Sequence, residues 1–300
     1  YITVNKKWLD EVGFESKESI EGLNSYDVWP KRQCDNFRAN EKEVIESTKI
    51  YSIAGELSEN KPIIDTPPFR APHHTSTPVA IIGGGKKVVP GEVSLASGGV
   101  LFLDELAEFP RSVLESLRQP LEDGVVSISR AQYRVEFKTD FIFIGASNPC
   151  PCGFLLDDNG KCNCTQTEIN KYMKKISGPI MDRIDLHVEM RRLTEEELMT
   201  YKSGESSKEI KERVLKARKI QKKRYGEGIY NGTISQKQIQ KYCKLSQENR
   251  EYFKKVIQVM EISARGYDKI LKVARTIADL AGSKNIEREH LMEAVSFRNK

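Results

Sequence analysis

Residues 98–105 read Gly98-Gly99-Val100-Leu101-Phe102-Leu103-Asp104-Glu105. Four bulky apolar residues after two glycines suit a strand buried on both faces of a parallel sheet, where apolar and polar residues do not alternate. The two acids mark where that strand leaves the core. In open α/β sheets the ligand crevice lies beyond the carboxyl ends of the strands, so Asp104 and Glu105 are expected where chemistry occurs. The pair fits the Walker B arrangement of nucleotide hydrolysis. The first acid holds Mg2+ through its water shell, and the second orients or deprotonates an attacking water. The same residues also fit a plainer arrangement, a buried strand followed by a helix whose first-turn acids favour its dipole.

Working outward, Phe141-Ile142-Phe143-Ile144-Gly145-Ala146-Ser147-Asn148 predicts a second buried strand, this one ending in an amide. Beside the acid-tipped strand, Asn148 would hold water near a γ-phosphate; before Pro149 it equally suits an ordinary turn. Ser177 to Glu189 reads as a helix end leading into a strand, with Arg183 flanked by Asp182 and Asp185. That arginine is either salt-bridged or presented across a subunit boundary to a neighbour's phosphate. Between these blocks, Pro110 to Leu121 has helical spacing. Val125–Ser129 and Tyr133–Phe137 read as a hairpin around Arg130-Ala131-Gln132. Further upstream, residues 41–54 have a helical period that Gly55 stops. Val79 to Val89 places two apolar runs around Gly83-Gly84-Gly85-Lys86-Lys87, a hairpin or a strand interrupting a helix. The sequence contains no G-x-x-x-x-G-K-[ST] phosphate loop.

Cys150, Cys152, Cys162 and Cys164 form two C-x-C pairs separated by nine residues. Four thiols at this density in a chain of cytosolic character suit a Zn2+ ion, which takes thiolates tetrahedrally and would clip the loop closed. Reduced cysteines in a turn are the other reading.

Composition bounds the rest. The 300 residues are 38% hydrophobic and 30% charged, a polar globular chain with room for one large or two ordinary domains. No apolar stretch approaches the length of a membrane span and no signal pattern is present, so a cytoplasmic location without membrane contact is expected. Net charge is +5, unevenly spread. Residues 191–300 hold 26 Lys or Arg against 15 Asp or Glu, and residues 1–190 hold 22 against 28. The basic carboxy-terminal part suits a polyanion partner or a solvated, lysine-rich helical surface. It reads as helical, with amphipathic stretches around Ile210–Ile220, Tyr252–Met260, Ile270–Ala281 and Ile286–Phe297.

Several blocks together closely resemble the ComM/YifB family of magnesium-chelatase-like AAA+ proteins. They are Phe69–Thr75, Pro90–Ala96, Gly99–Glu105, Leu117–Gly124, Asn148–Gly153, Asp182–Val188 and Leu271–Leu280. The resemblance runs from about Glu41 to about Phe297. It implies an α/β AAA+ core followed by a helical lid, working as a ring, usually hexameric, with ATP and Mg2+ between subunits. The organisation expected is an unassigned segment 1–40, a core over 41–192 and a basic lid over 193–300. Through ComM the resemblance also implies a motor that drives DNA branch migration in recombination or transformation. By position, Asp104 and Glu105 would be the Walker B pair, Asn148 the water-orienting sensor, and Arg183 the finger acting on the adjacent subunit. Arg265 would be the second sensor touching nucleotide, with Arg275 as runner-up. Lys86, Lys87, Arg130 and Arg134 on the two hairpins would track the phosphates of branched or single-stranded DNA. The chain departs from the family at Asn24–Cys34, where the phosphate loop is expected and neither cradling glycines nor Gly-Lys-Thr occurs. Either the chain is truncated or rearranged there, or it is a degenerate subunit that lends Arg183 and a lid without hydrolysing ATP. A chelatase-type motor that remodels a protein is a third reading.

Overall fold

A computed structural model describes residues 31–57, 62–85, 88–129, 134–156, 160–176, 178–190, 199–200 and 204–298, with side chains from residue 43 onward. Its centre is β4 (Val100–Leu103), which lies between β1 (Phe69–Arg70) and β7 (Ile142–Gly145) in a three-stranded parallel sheet. Phe69 pairs with Val100, and β4 runs in register with β7 from Val100↔Ile142 to Leu103↔Gly145. Gly99 admits this pairing. A Cβ there would fall 1.9 Å from the Pro68 carbonyl oxygen, which accepts the Val100 N–H at 2.8 Å.

Only one face of β4 is fully buried, a correction to the expectation of two. Leu101 and Leu103 are completely enclosed, whereas Val100 and Phe102 are half-buried. Phe102 lies on the open face near the Phe69 ring, with centroids 6.2 Å apart. The closed face packs on Ile81, Val93, Val113, Leu114, Leu117 and Ile180. These come from α2 (Pro78–Ile82), α3 (Glu92–Leu95), α4 (Arg111–Ser116) with its cap Leu117, and α7 (Gly178–Met181).

Local chemistry sets the boundaries. The first helix among the described residues, α1 (Lys31–Ala54), includes residues ahead of its apolar period and stops at Gly55, whose φ is +74°. Val79–Ile82 is helical because Thr77 caps Ala80 N–H and Pro78 begins the turn; only β2 (Gly83–Gly84) and β3 (Val89–Pro90) form the hairpin that follows. The helix expected over 110–121 divides at Leu117 into α4 and α5 (Arg118–Asp123). Pro120 has no N–H to continue the first ladder. The hairpin of β5 (Val125–Ser129) and β6 (Arg134–Lys138) forms as expected. Residues 184–190 form no strand; His187 N–H instead donates to Phe297 O at 2.8 Å, tying this segment to the end of the chain. Earlier in the chain, α6 (Gln166–Met173) is opened by a Thr165/Glu168 capping box; the lid helices follow residues 184–190.

The lid comprises α8 (Ser207–Tyr225), α9 (Gln236–Tyr242), α10 (Gln247–Val259), α11 (Ala264–Leu280) and α12 (Arg288–Ser296). Its own core gathers Phe253, Ile270, Leu271, Ala274, Ala278, Ile286 and Leu291. No helix among the described residues is long and apolar enough to cross a membrane.

Candidate active site at the carboxyl edge of the sheet

Backbone hydrogen bonds knit the ends of β4 and β7 together. Ala146 N–H donates to Leu103 O at 2.9 Å, and Leu106 N–H donates to Ala146 O at 2.8 Å. Asp104 and Glu105 therefore leave β4 beside the segment that carries Asn148 out of β7, and all three side chains are exposed. Glu105 has φ +51° and ψ +47°, a left-handed conformation that costs a non-glycine residue about 1 kcal/mol. Its N–H donates to Asp104 Oδ1 at 2.8 Å, and its carboxylate meets His74 Nδ1 at 3.0 Å. His74 is itself confined by the His73 ring, 4.0 Å away, and by the edge of Phe109. Asp104 presents an exposed carboxylate of the kind a hydrated Mg2+ accepts.

The candidate arginines differ in their partners. Arg183, with 12% of its side chain exposed, donates from Nε to Arg118 O at 3.1 Å and from Nη1 to Pro179 O at 2.6 Å, and its Nη2 pairs with Glu122. Arg265, in the first turn of α11, pairs with the other oxygen of the same Glu122. One carboxylate of the core thus engages a core arginine and a lid arginine. Lys269, one turn further along α11, bonds Arg183 O and Asp185 Oδ1, the latter at 2.7 Å. Arg275 faces the lid interior. Its guanidinium donates to Asp279 Oδ1 at 3.2 Å, Lys284 O at 3.0 Å and Ser283 O at 2.7 Å, which closes the end of α11.

Of the hairpin residues, Arg134 is exposed and paired with Glu136 at 2.8 Å. Lys86, Lys87 and Arg130 lie outside the described residues, as does Asn24–Pro30 of the segment where a phosphate loop is expected.

The four cysteines converge directly after Asn148. Their Sγ atoms all lie within 4.8 Å of one another, with Cys150 buried. Crowding divides the thiols: the Phe154 N–H holds Cys152 down to about 6, while Cys164 is pushed up to about 12. The backbone N–H of Cys152 favours the Cys164 thiolate, but the Cys152 thiol, desolvation and the Cys150 charge outweigh it. Such a cluster could hold a metal ion.

His74 and Glu122 are functional candidates that sequence reasoning passes over. Their only local signals are a histidine pair following a short strand and an acid near a helix end; their partners lie far away in the chain.

Comparison with known proteins gives the family. The sequence model for magnesium chelatase, subunit ChlI, matches residues 37–198, and that for the ChlI C-terminal part matches residues 204–298. Competence protein ComM of Haemophilus influenzae is 44% identical over 232 residues, 77% of this chain and 45% of ComM. Uncharacterized protein YifB of Escherichia coli is 39% identical over 258 residues, 86% of this chain and 50% of YifB. Uncharacterized protein Rv2897c of Mycobacterium tuberculosis is 38% identical over 259 residues, 85% of this chain and 51% of the relative. The chain spans about half the length of the curated relatives it matches.

Proposed function

The chain belongs to the magnesium-chelatase ChlI family, in its ComM/YifB branch, and from that membership we propose that it acts as a ComM-like AAA+ ATPase module driving branch migration of DNA. The observation that carries this reading is the parallel, in-register pairing of β4 with β7, which brings the acid-ended strand and the segment leading to Asn148 to one sheet edge. In the proposal Asp104 takes the water shell of Mg2+, Glu105 activates the attacking water and Asn148 orients it. Bound Mg2+ with ATP supplies the phosphoryl group and neutralises the charge that develops on it. His74 holds the Glu105 carboxylate at 3.0 Å and so governs when it is free to act. Arg183 serves a neighbouring subunit's phosphate in a ring, usually hexameric, and Arg265 contacts nucleotide from the lid. Both must first leave Glu122. Arg275, already committed to Asp279 and two carbonyls, is the poorer choice for that second role. The basic lid and the hairpin cations Lys86, Lys87, Arg130 and Arg134 contact DNA phosphates, the cysteine cluster holds a metal, and the location is cytoplasmic.

A second reading has one observation in its favour: the 300 residues contain no phosphate loop to cradle the β- and γ-phosphates. On that reading the chain is a non-hydrolysing, metal-stabilised ring subunit. Branch migration of a synthetic four-way DNA junction, with and without ATP and beside Glu105→Gln, separates the two. ATP-dependent migration lost in Glu105→Gln supports the motor. DNA binding without migration supports the ring subunit, and absence of salt-sensitive DNA binding supports a protein-remodelling chelatase-type motor.

A further inference from the structure

We propose that Cys150, Cys152, Cys162 and Cys164 bind a single Zn2+ as a tetrathiolate, and that this ion fixes the turn that sets the Asn148 side chain at the sheet edge. Sulfur geometry carries the first half. A tetrahedral ion with Zn–S bonds of about 2.3 Å places its sulfurs about 3.8 Å apart. Here Cys150 Sγ lies 3.8 Å from Cys162 Sγ and 3.4 Å from Cys152 Sγ, and Cys152 Sγ lies 3.6 Å from Cys162 Sγ. None of these separations is a disulfide, whose sulfurs sit about 2.05 Å apart. Because all four sulfurs lie within 4.8 Å of one another, the space between them takes one ion and not an iron–sulfur cluster. Soft thiolates in tetrahedral array select zinc over hard, oxygen-preferring cations.

The backbone is built to support thiolates. Phe154 N–H points at Cys152 Sγ, Cys164 N–H at Cys162 Sγ and Cys152 N–H at Cys164 Sγ. Such N–H donors stabilise sulfur that carries negative charge. Gly153, at φ +78°, returns its N–H to Cys150 O at 3.0 Å and closes a tight turn around the first ligand pair. Gly160, two residues before Cys162, also has a positive φ, +65°.

The second half rests on reading Asn148 as the water-orienting residue. Asn148 lies two residues before the buried ligand Cys150, and a Cβ on Gly153 would sit 3.8 Å from both Cγ and Oδ1 of Asn148. The amide therefore rests against the ligand turn itself. An ion that holds Cys150 to Cys162 and Cys164 fixes that turn against the segment that leads from Cys164 into α6. Binding releases the thiol protons to solvent and leaves no redox change.

The test begins with metal content of the chain purified under reducing conditions, followed by exchange of the ion for Co2+. The expected result is one equivalent of zinc and a Co2+ spectrum with the strong ligand-field and sulfur charge-transfer bands of a tetrahedral tetrathiolate. Cys152→Ser and Cys164→Ser should each lose most of the metal. Cys243→Ser, a buried lid cysteine, should keep it all. Four freely titrating thiols without metal, a disulfide among them, or another metal in place of zinc would each overturn the assignment. Because Cys150 is buried and its replacement risks misfolding, two of the three less buried ligands are the ones substituted. Hydrogen exchange then tests the positioning role without requiring turnover. Metal removal should accelerate exchange over residues 146–154 by tenfold or more while the lid helices stay protected. Unchanged exchange there would leave a zinc site without influence on Asn148, and zinc binding in a chain that never hydrolyses ATP would refute only the ATPase reading.

Discussion

The α/β core and the helical lid handle charge in opposite ways. In the core, Asp104, Glu105 and Asn148 stand exposed at the sheet edge, and the open face of the sheet leaves Phe69 and Ile142 about two-thirds accessible. In the lid the strongest charges are inside. Asp279 is fully enclosed; it accepts from Arg224 at 2.8 Å, from Arg275 at 3.2 Å and from Asn231 Nδ2 at 2.9 Å. A buried carboxylate is tolerated only with such complete pairing. The difference separates two tasks. Exposed acids at a strand end remain available to a ligand, whereas enclosed ones fix how helices α8 and α11 meet.

The sharpest way to break this comparison is to remove an acid from each side. Asp279→Ala takes the carboxylate from the buried Arg275 and the partly buried Arg224 and should destabilise the lid by about 3–5 kcal/mol in urea titration, whereas Asp104→Ala should stay within about 0.5 kcal/mol. Equal effects would show that the lid network is not what holds α8 to α11. Next in size, Leu103→Ala should cost about 2–5 kcal/mol because that side chain is fully enclosed, and Phe102→Ala on the half-open face should cost less. Reversal of that order would mean the open face is covered in solution.

A smaller effect concerns the seam between the two regions. Glu122→Ala frees Arg183 and Arg265 together, and since the carboxylate is one-third exposed the loss should be about 1 kcal/mol or less. A double-mutant cycle with Arg265→Ala should show coupling between the two positions; its absence would remove Glu122 as the shared partner. Smallest is a pH effect at His187, whose Nε2 lies 3.2 Å from Met181 O and whose N–H bonds Phe297 O. Burial, followed by the Arg298 charge, lowers its pKa below the ordinary 6.5. The unfolded chain therefore takes up this proton first. Stability from the neutral ring is present above pH 6.5 and is lost as pH falls through the lower folded value. Stability of wild type and His187→Gln across this range should diverge in that direction, and parallel curves would refute it.

Much of the core is legible in sequence because its signals are local. The apolar runs ending in Asp104 and Asn148 declare two strands, although the second is largely exposed and not buried as expected, and four cysteines within one loop declare a cluster. What escapes reading is decided by distant partners or by capping. Val79–Ile82 has the composition of a strand, yet Thr77 and Pro78 start a helix there. Helix α9 and its cap bury only Ile239 and Cys243, a stripe too short to register as a period. Glu122 and His74 acquire meaning only when folding brings Arg183, Arg265 and Glu105 to them. Arg275 and Arg265 look alike along the chain, but one is enclosed against Asp279 and the other reaches out to Glu122.

The central claim, that the sheet edge is an ATP-hydrolysing site, is tested most directly by Mg2+-dependent ATP turnover of the purified chain with branched DNA, beside Glu105→Gln. The account predicts turnover well above that of Glu105→Gln, by about 10²-fold or more for loss of a general base. Turnover equal to the Glu105→Gln background would contradict it and leave the chain as a ring subunit that lends its arginines and lid without hydrolysing nucleotide.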